Sequence, residues 1–180
     1  STHYFIDFRD NRVYSYVSVK GIKWMVDFLK IEYPAARSTR CPLEQEAHCN
    51  SNGRQYTWAA AMDSLGLYST TGKGQGYRVS CNGNQTAKVR GICPEGWRLP
   101  RDVDVPTDAD IRNAPEASAL SLDGPGHSSA LTSNYCNYAC SGIWLSTCSS
   151  QTQGMKVYEY LRSNTVRFYS PSKDTKYFRY

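Results

Sequence analysis

The stretch from Cys49 to Pro100 constrains the fold of this chain more than any other part of it. It opens Cys49-Asn-Ser-Asn-Gly-Arg-Gln-Tyr-Thr-Trp-Ala-Ala-Ala-Met62 and closes Gly91-Ile-Cys-Pro-Glu-Gly-Trp-Arg-Leu-Pro100. Asn50, Ser51, Asn52 and Gly53 are turn formers, and Ala59, Ala60 and Ala61 are strong helix formers. The first block therefore predicts a turn and then a helix over about 55–65, ending near Gly66. The second block predicts a rigid corner. Pro94 and Pro100 fix φ, Gly96 permits a tight bend, and Trp97 carries enough apolar surface to anchor the corner in a core. Trp24, Trp58 and Trp144 sit among small or apolar neighbours and are expected to be largely buried with it.

At 180 residues the chain suits a single domain, 1–180, with room for a core. No apolar run approaches the length of a membrane span. The chain starts without Met and without a basic-then-apolar leader, which reads as a processed or trimmed product. Seven cysteines favour an oxidising compartment, hence a secreted or cell-surface protein. Zinc is a poor alternative, because there is no Cys-x-x-Cys pair and His3, His48 and His127 lie far from a ligand spacing. No cofactor is expected. Cys41 with Cys49, and Cys81 with Cys93, would close short loops, each restricting the unfolded chain by about 2–3 kcal/mol. That leaves Cys136, Cys140 and Cys148, an odd set allowing one bond and one free thiol.

The pattern along the chain is α+β. Residues 4–8 and 12–18 alternate as a hairpin would, with Asp10-Asn11 at its turn. Residues 66–92 are rich in Gly, Ser and Thr and read as a long loop. A second short helix is expected from Thr107, with Asp108 and Asp110 in its first turn, where they complement the dipole. Residues 120–142 read as loop. From Gly142 onward the pattern is strand, through Met155, Val157 and Leu161 and then Val166 and Phe168.

Charge is uneven. Residues 156–180 hold six Lys or Arg against two acids, most of the whole-chain net charge of +5. Tyrosines interleave with those cations. Rigid aromatic faces flanked by cations suit glycan rings, acidic polysaccharide or a protein partner. The candidate ligand-binding residues are thus Tyr158, Tyr160, Arg162, Arg167 and Tyr169, framed by a loop carrying Asn134, Tyr135 and Tyr138. A solvated Tyr/Lys sheet face is the plainer explanation. Nucleic acid fits the charge but not export.

Catalytic readings are weaker. Gly72-Lys-Gly-Gln-Gly76 lacks the strand and helix of a phosphate cradle. Asp102, Asp104, Asp108 and Asp110 lack the spacing of a calcium loop. Cys136-Asn-Tyr-Ala-Cys140 is similar to the late cysteine pair with which formylglycine-generating oxidases hold copper(I), since soft thiolates select that ion. The spacing differs and the rest of that signature is missing, so a structural disulfide from Cys148 to Cys136 or Cys140 is the expectation.

The two central blocks resemble the FISUMP family, the Fibrobacter succinogenes major paralogous domain, which carries a Cys-x-x-x-Gly-Arg-x-Tyr-Thr-Trp-Ala-Ala-Ala-Met block and then Gly-x-Cys-Pro-x-Gly-Trp-x-Leu-Pro. Phe8-Arg-Asp-Asn-Arg-Val-Tyr14, Gly21-Ile-Lys-Trp-Met25 and Ile143-Trp-Leu-Ser-Thr147 extend the resemblance over roughly residues 4–180. Family members often carry two further cysteines; here Gln75 stands in place of one, and the chain ends at Tyr180 without the other. The resemblance implies a C-type-lectin-like fold, with two short helices, small antiparallel sheets and long disulfide-stapled loops, and export to the cell surface. The resulting expectation is a non-catalytic adhesion or binding module contacting carbohydrate or a surface protein. The alternative is a subunit or head domain of a self-associating surface filament.

Overall fold

The computed structural model describes residues 3–41, 44–81, 87–107, 109–110, 143–151, 153–159, 166–169 and 177–178. Among them, nine strands fall into three antiparallel three-stranded sheets, with two short helices between them. The coarse α+β reading holds.

The N-terminal sheet has the order β1-β2-β3, from β1 (His3–Asp7), β2 (Arg12–Val19) and β3 (Ile22–Met25). Alternation sets its two faces: Phe5 pairs with Tyr14, and Val17 with Trp24. Lys20 and Gly21 join β2 to β3 with φ of 54° and 78°, the two positive values that a type I′ hairpin requires.

The second sheet joins β4 (Thr39–Arg40), β5 (Gln55–Tyr56) and β9 (Tyr177–Phe178). Between β4 and β5 lies α1 (Glu46–Asn52), tied back to the strand by Cys41–Cys49. Asn50, Ser51 and Asn52 therefore close a helix rather than form the expected turn. The Ser51 hydroxyl donates back to the Ala47 carbonyl at 3.0 Å, and Gly53 ends the helix at φ 91°. The helix expected over about 55–65 shrinks to α2 (Trp58–Ala61). Tyr56 is claimed by the sheet on both sides, through Thr39 and Tyr177. Thr57 caps the start by accepting from the Ala60 N–H, and Asp63, at φ 54°, stops the end.

The third sheet is β6 (Ile143–Cys148), β7 (Gly154–Glu159) and β8 (Val166–Tyr169). Trp58 and Trp144 lock the sheets together. The Trp58 indole donates to the Leu145 carbonyl and the Trp144 indole to the Tyr56 carbonyl, both at 2.8 Å, and both rings are wholly buried. Gly154 lies against these rings so closely that a Cβ would stand 2.7 Å from Trp144.

The corner at 91–100 docks on three elements. Ile92 donates to the Ala61 carbonyl, Ser146 donates to the Pro100 carbonyl, and Arg9 reaches the Ile92 carbonyl at 2.7 Å. Trp97 is only partly buried, against expectation. It stacks on Phe5 with ring centres 4.4 Å apart and keeps one flank open. Thr107 and Asp110 exchange reciprocal capping hydrogen bonds, the signature of a helix start at the predicted place.

Cys81 bonds to Cys148, not to Cys93, with Cα atoms 6.1 Å apart. The physical reason is a loop-to-sheet contact. Arg78 donates to the Gln151 carbonyl at 2.8 Å, which pins the segment before Cys81 beside the β6–β7 turn and so beside the end of β6. This also removes Cys148 from any pairing with Cys136 or Cys140. Cys93 is a buried free thiol.

Candidate functional site

The outer edge of β3, unpaired among the described strands, and the 91–100 corner enclose a cleft of about 300 Å³, at the lower end of the size range of small-molecule sites. Each wall follows from its local chemistry. On one side, the tight Lys20-Gly21 turn sets β3 so that Trp24 packs beside Val17 and is 7% exposed. Its Nε1–H has no hydrogen-bond partner among the described residues. A buried indole N–H left unmade costs about 1–3 kcal/mol. Asp27 follows on the same segment. Its Oδ2 accepts from the Ser15 N–H and hydroxyl at 2.7 and 2.8 Å, while Oδ1 has no partner among the described residues. The Lys23 ammonium stands 5.3 Å above the Tyr16 ring.

The other wall is the corner. Trp97 is held between Phe5 and the edge of Tyr16. Arg98 donates to Asp104 Oδ2 at 2.6 Å, and Arg101 donates to both oxygens of the same carboxylate. Burial alone would raise the Asp104 pKa, but the hydrogen bonds from Arg98 and Arg101 win and hold it well below the usual carboxylate range. Asp104 is thus spent on structure and neutralises part of the cationic wall. At the base, burial pushes the Cys93 thiol up to about 12 against the opposing pull of Arg9, Arg90 and Arg98. It is protonated at neutral pH and a poor nucleophile.

What remains available to a ligand is a neutral mixture: aromatic flanks, one carboxylate acceptor and one ammonium. Such a set can hold a hydroxyl-bearing ring by stacking its C–H face and bonding its oxygens.

The residues singled out from the sequence divide into three groups. Tyr158, Arg167 and Tyr169 lie on β7 and β8, where the register sets Tyr158 opposite Arg167 and Lys156 opposite Tyr169. Tyr135, Tyr138, Tyr160 and Arg162, with Cys136 and Cys140, lie outside the described residues. Cys41 and Cys49 are spent in their disulfide. Sequence reasoning placed Trp24 in the core and missed that its N–H is unpaired; nothing in the pattern singled out Asp27. No family model, curated protein or solved structure matches the chain, and no helix among the described residues is long and apolar enough to cross a membrane.

Proposed function

We propose that the protein is a non-catalytic extracellular binding module that takes a neutral sugar unit of a surface glycan in the cleft between β3 and the 91–100 corner. The unpartnered indole N–H of Trp24, a residue that lines the cleft, carries this reading, since a buried donor without an acceptor is a cost that binding relieves once a side-chain movement opens the N–H to the cleft. Two disulfides support an oxidising compartment. The α+β fold is read as C-type-lectin-like on the strength of the sequence resemblance to FISUMP domains. The test is a glycan array followed by calorimetric titration with the best-bound sugar. Saturable binding heat in the wild type that is lost in Trp24→Phe supports the cleft; equal binding by both places the ligand elsewhere.

A second reading puts recognition on the C-terminal sheet, as the charge pattern suggested. The register favours it by setting a cation opposite a tyrosine twice in succession. Replacing Tyr160 and Arg162 with alanine would then abolish adhesion or assembly and leave the melting temperature nearly unchanged. Loss of folding instead would make those side chains core.

A further inference from the structure

We infer that β1 is a self-pairing edge, through which two copies of this chain join their N-terminal sheets antiparallel. The argument starts from hydrogen-bond direction. Val26 donates to the Ser15 carbonyl, so Ser15 turns its backbone groups toward β3. Alternation then turns Tyr14 and Tyr16 toward β1, where they face Phe5 and His3. Tyr4 and Ile6 consequently aim their N–H and C=O groups away from β2, along an edge that no other strand among the described residues covers.

The side chains of those same two residues are exposed apolar surface: Tyr4 is 66% exposed, Ile6 45%, and Val13, opposite Ile6, 56%. Most of the usual protections of an edge are missing among the described residues. Between His3 and Asp7 there is no Lys, no Pro and no bulge in the pairing with β2. The one acidic residue, Asp7, points inward, is 2% exposed and is bound to Arg9 at 2.8 Å.

The occupant is fixed by the self-complementarity of the segment. Paired antiparallel about Phe5, each Tyr4 meets the other copy's Ile6, giving two wide pairs that each exchange two backbone hydrogen bonds. On the exposed face this lays Val13, Ile6 and the second Tyr4 in one continuous row, and its symmetry mate in another. Aromatic–aliphatic cross-strand pairs of this kind stabilise sheets. His3 falls opposite the second copy's Asp7, so the ends carry unlike residues rather than like charges. The chain's net charge of +5 opposes association at long range, so pairing should strengthen as salt screens it. This surface is separate from the cleft, and either can fail without the other.

Sedimentation of the full chain from about 5 to about 500 μM, at low and high salt, tests the pairing. The expected result is a monomer–dimer equilibrium favoured by salt, weakened about tenfold or more by Ile6→Lys and unaffected by Leu67→Lys, a change at an exposed leucine elsewhere. Hydrogen exchange on the dimer should slow the amides of Tyr4 and Ile6, while that of Phe5, already turned to β2, is slow in monomer and dimer alike. A monomer at every concentration, a dimer indifferent to Ile6→Lys, or fast exchange of Tyr4 and Ile6 in the dimer overturns the inference.

Discussion

Tyr33 donates its hydroxyl hydrogen to Asp63 Oδ1 at 2.7 Å and accepts from the Leu65 N–H at 2.8 Å, joining two segments thirty residues apart at a wholly buried carboxylate. Asp63 also accepts from the backbone N–H groups of Leu67, Tyr68 and Ser69. One side chain therefore organises the whole turn that follows α2. Burial pushes the Tyr33 pKa above its ordinary range, and the Asp63 hydrogen bond adds to it.

Asp63→Ala removes the acceptor for four donors at once and should cost about 3 kcal/mol or more, given that each charge-assisted bond contributes about 1.5–3 kcal/mol before relaxation. Tyr33→Phe removes one of the four and should cost about 1–2 kcal/mol. Urea denaturation of both variants decides the order. Equal costs would mean that the other three hydrogen bonds fail once the phenol is gone.

The disulfides give a second prediction. Non-reducing peptide mapping should find Cys41 joined to Cys49 and Cys81 to Cys148. The longer loop makes Cys81–Cys148 the larger contributor, about 4 kcal/mol on the loop-entropy model against about 2.5 kcal/mol for the shorter one. Cys93, buried with its pKa raised to about 12, should resist alkylation at pH 8 until the chain is unfolded. Because its folded value lies above that of an unfolded thiol, about 8.5, its contribution to stability is complete below pH 8.5 and is lost as pH rises toward 12.

Acid should act through Asp104. Its folded pKa is depressed by Arg98 and Arg101, so the unfolded chain takes up the proton first as pH falls. The contribution of this group is full above about pH 4 and is lost as pH falls below the unfolded value of about 3.9 toward the folded one. Asp104→Asn should therefore be less stable than wild type at pH 7 and should lose less stability than wild type below pH 4. Parallel unfolding curves for the two proteins across that range would rule this out.

The elements legible in the sequence were those whose signal is local. The alternation of β1 and β2, the strands beginning near Ile143, Met155 and Val166, and the start at Thr107 all follow from period-two patterning or capping chemistry. The boundaries that misled were decided at long range. Tyr56 reads as helix beside three alanines, but two strands claim it. Cys93 reads as the partner of Cys81 by loop length, but the Arg78–Gln151 contact carries Cys81 to Cys148. The cleft was illegible for the same reason. Trp24 and Trp97 each look like core in isolation, and only the folded corner reveals that one keeps an open flank and the other an unmade hydrogen bond.

The cleft itself makes a prediction with opposite signs in its two readouts. Trp24→Phe keeps most of the apolar ring and deletes only the donor that has no partner. In the free protein this removes a desolvated polar group, so stability should stay level or rise by up to about 1 kcal/mol, despite the smaller ring. Toward a sugar that accepts from the indole, the same change should weaken binding by about tenfold, the equivalent of one neutral hydrogen bond. Asp27→Asn leaves the Ser15 contacts an acceptor and alters the free oxygen, so it should weaken binding while moving the melting temperature little. Melting curves and calorimetric titrations on the same samples separate the outcomes. A Trp24→Phe protein that loses stability and binding together would make the indole an ordinary core residue and remove the main support for a ligand between β3 and the corner.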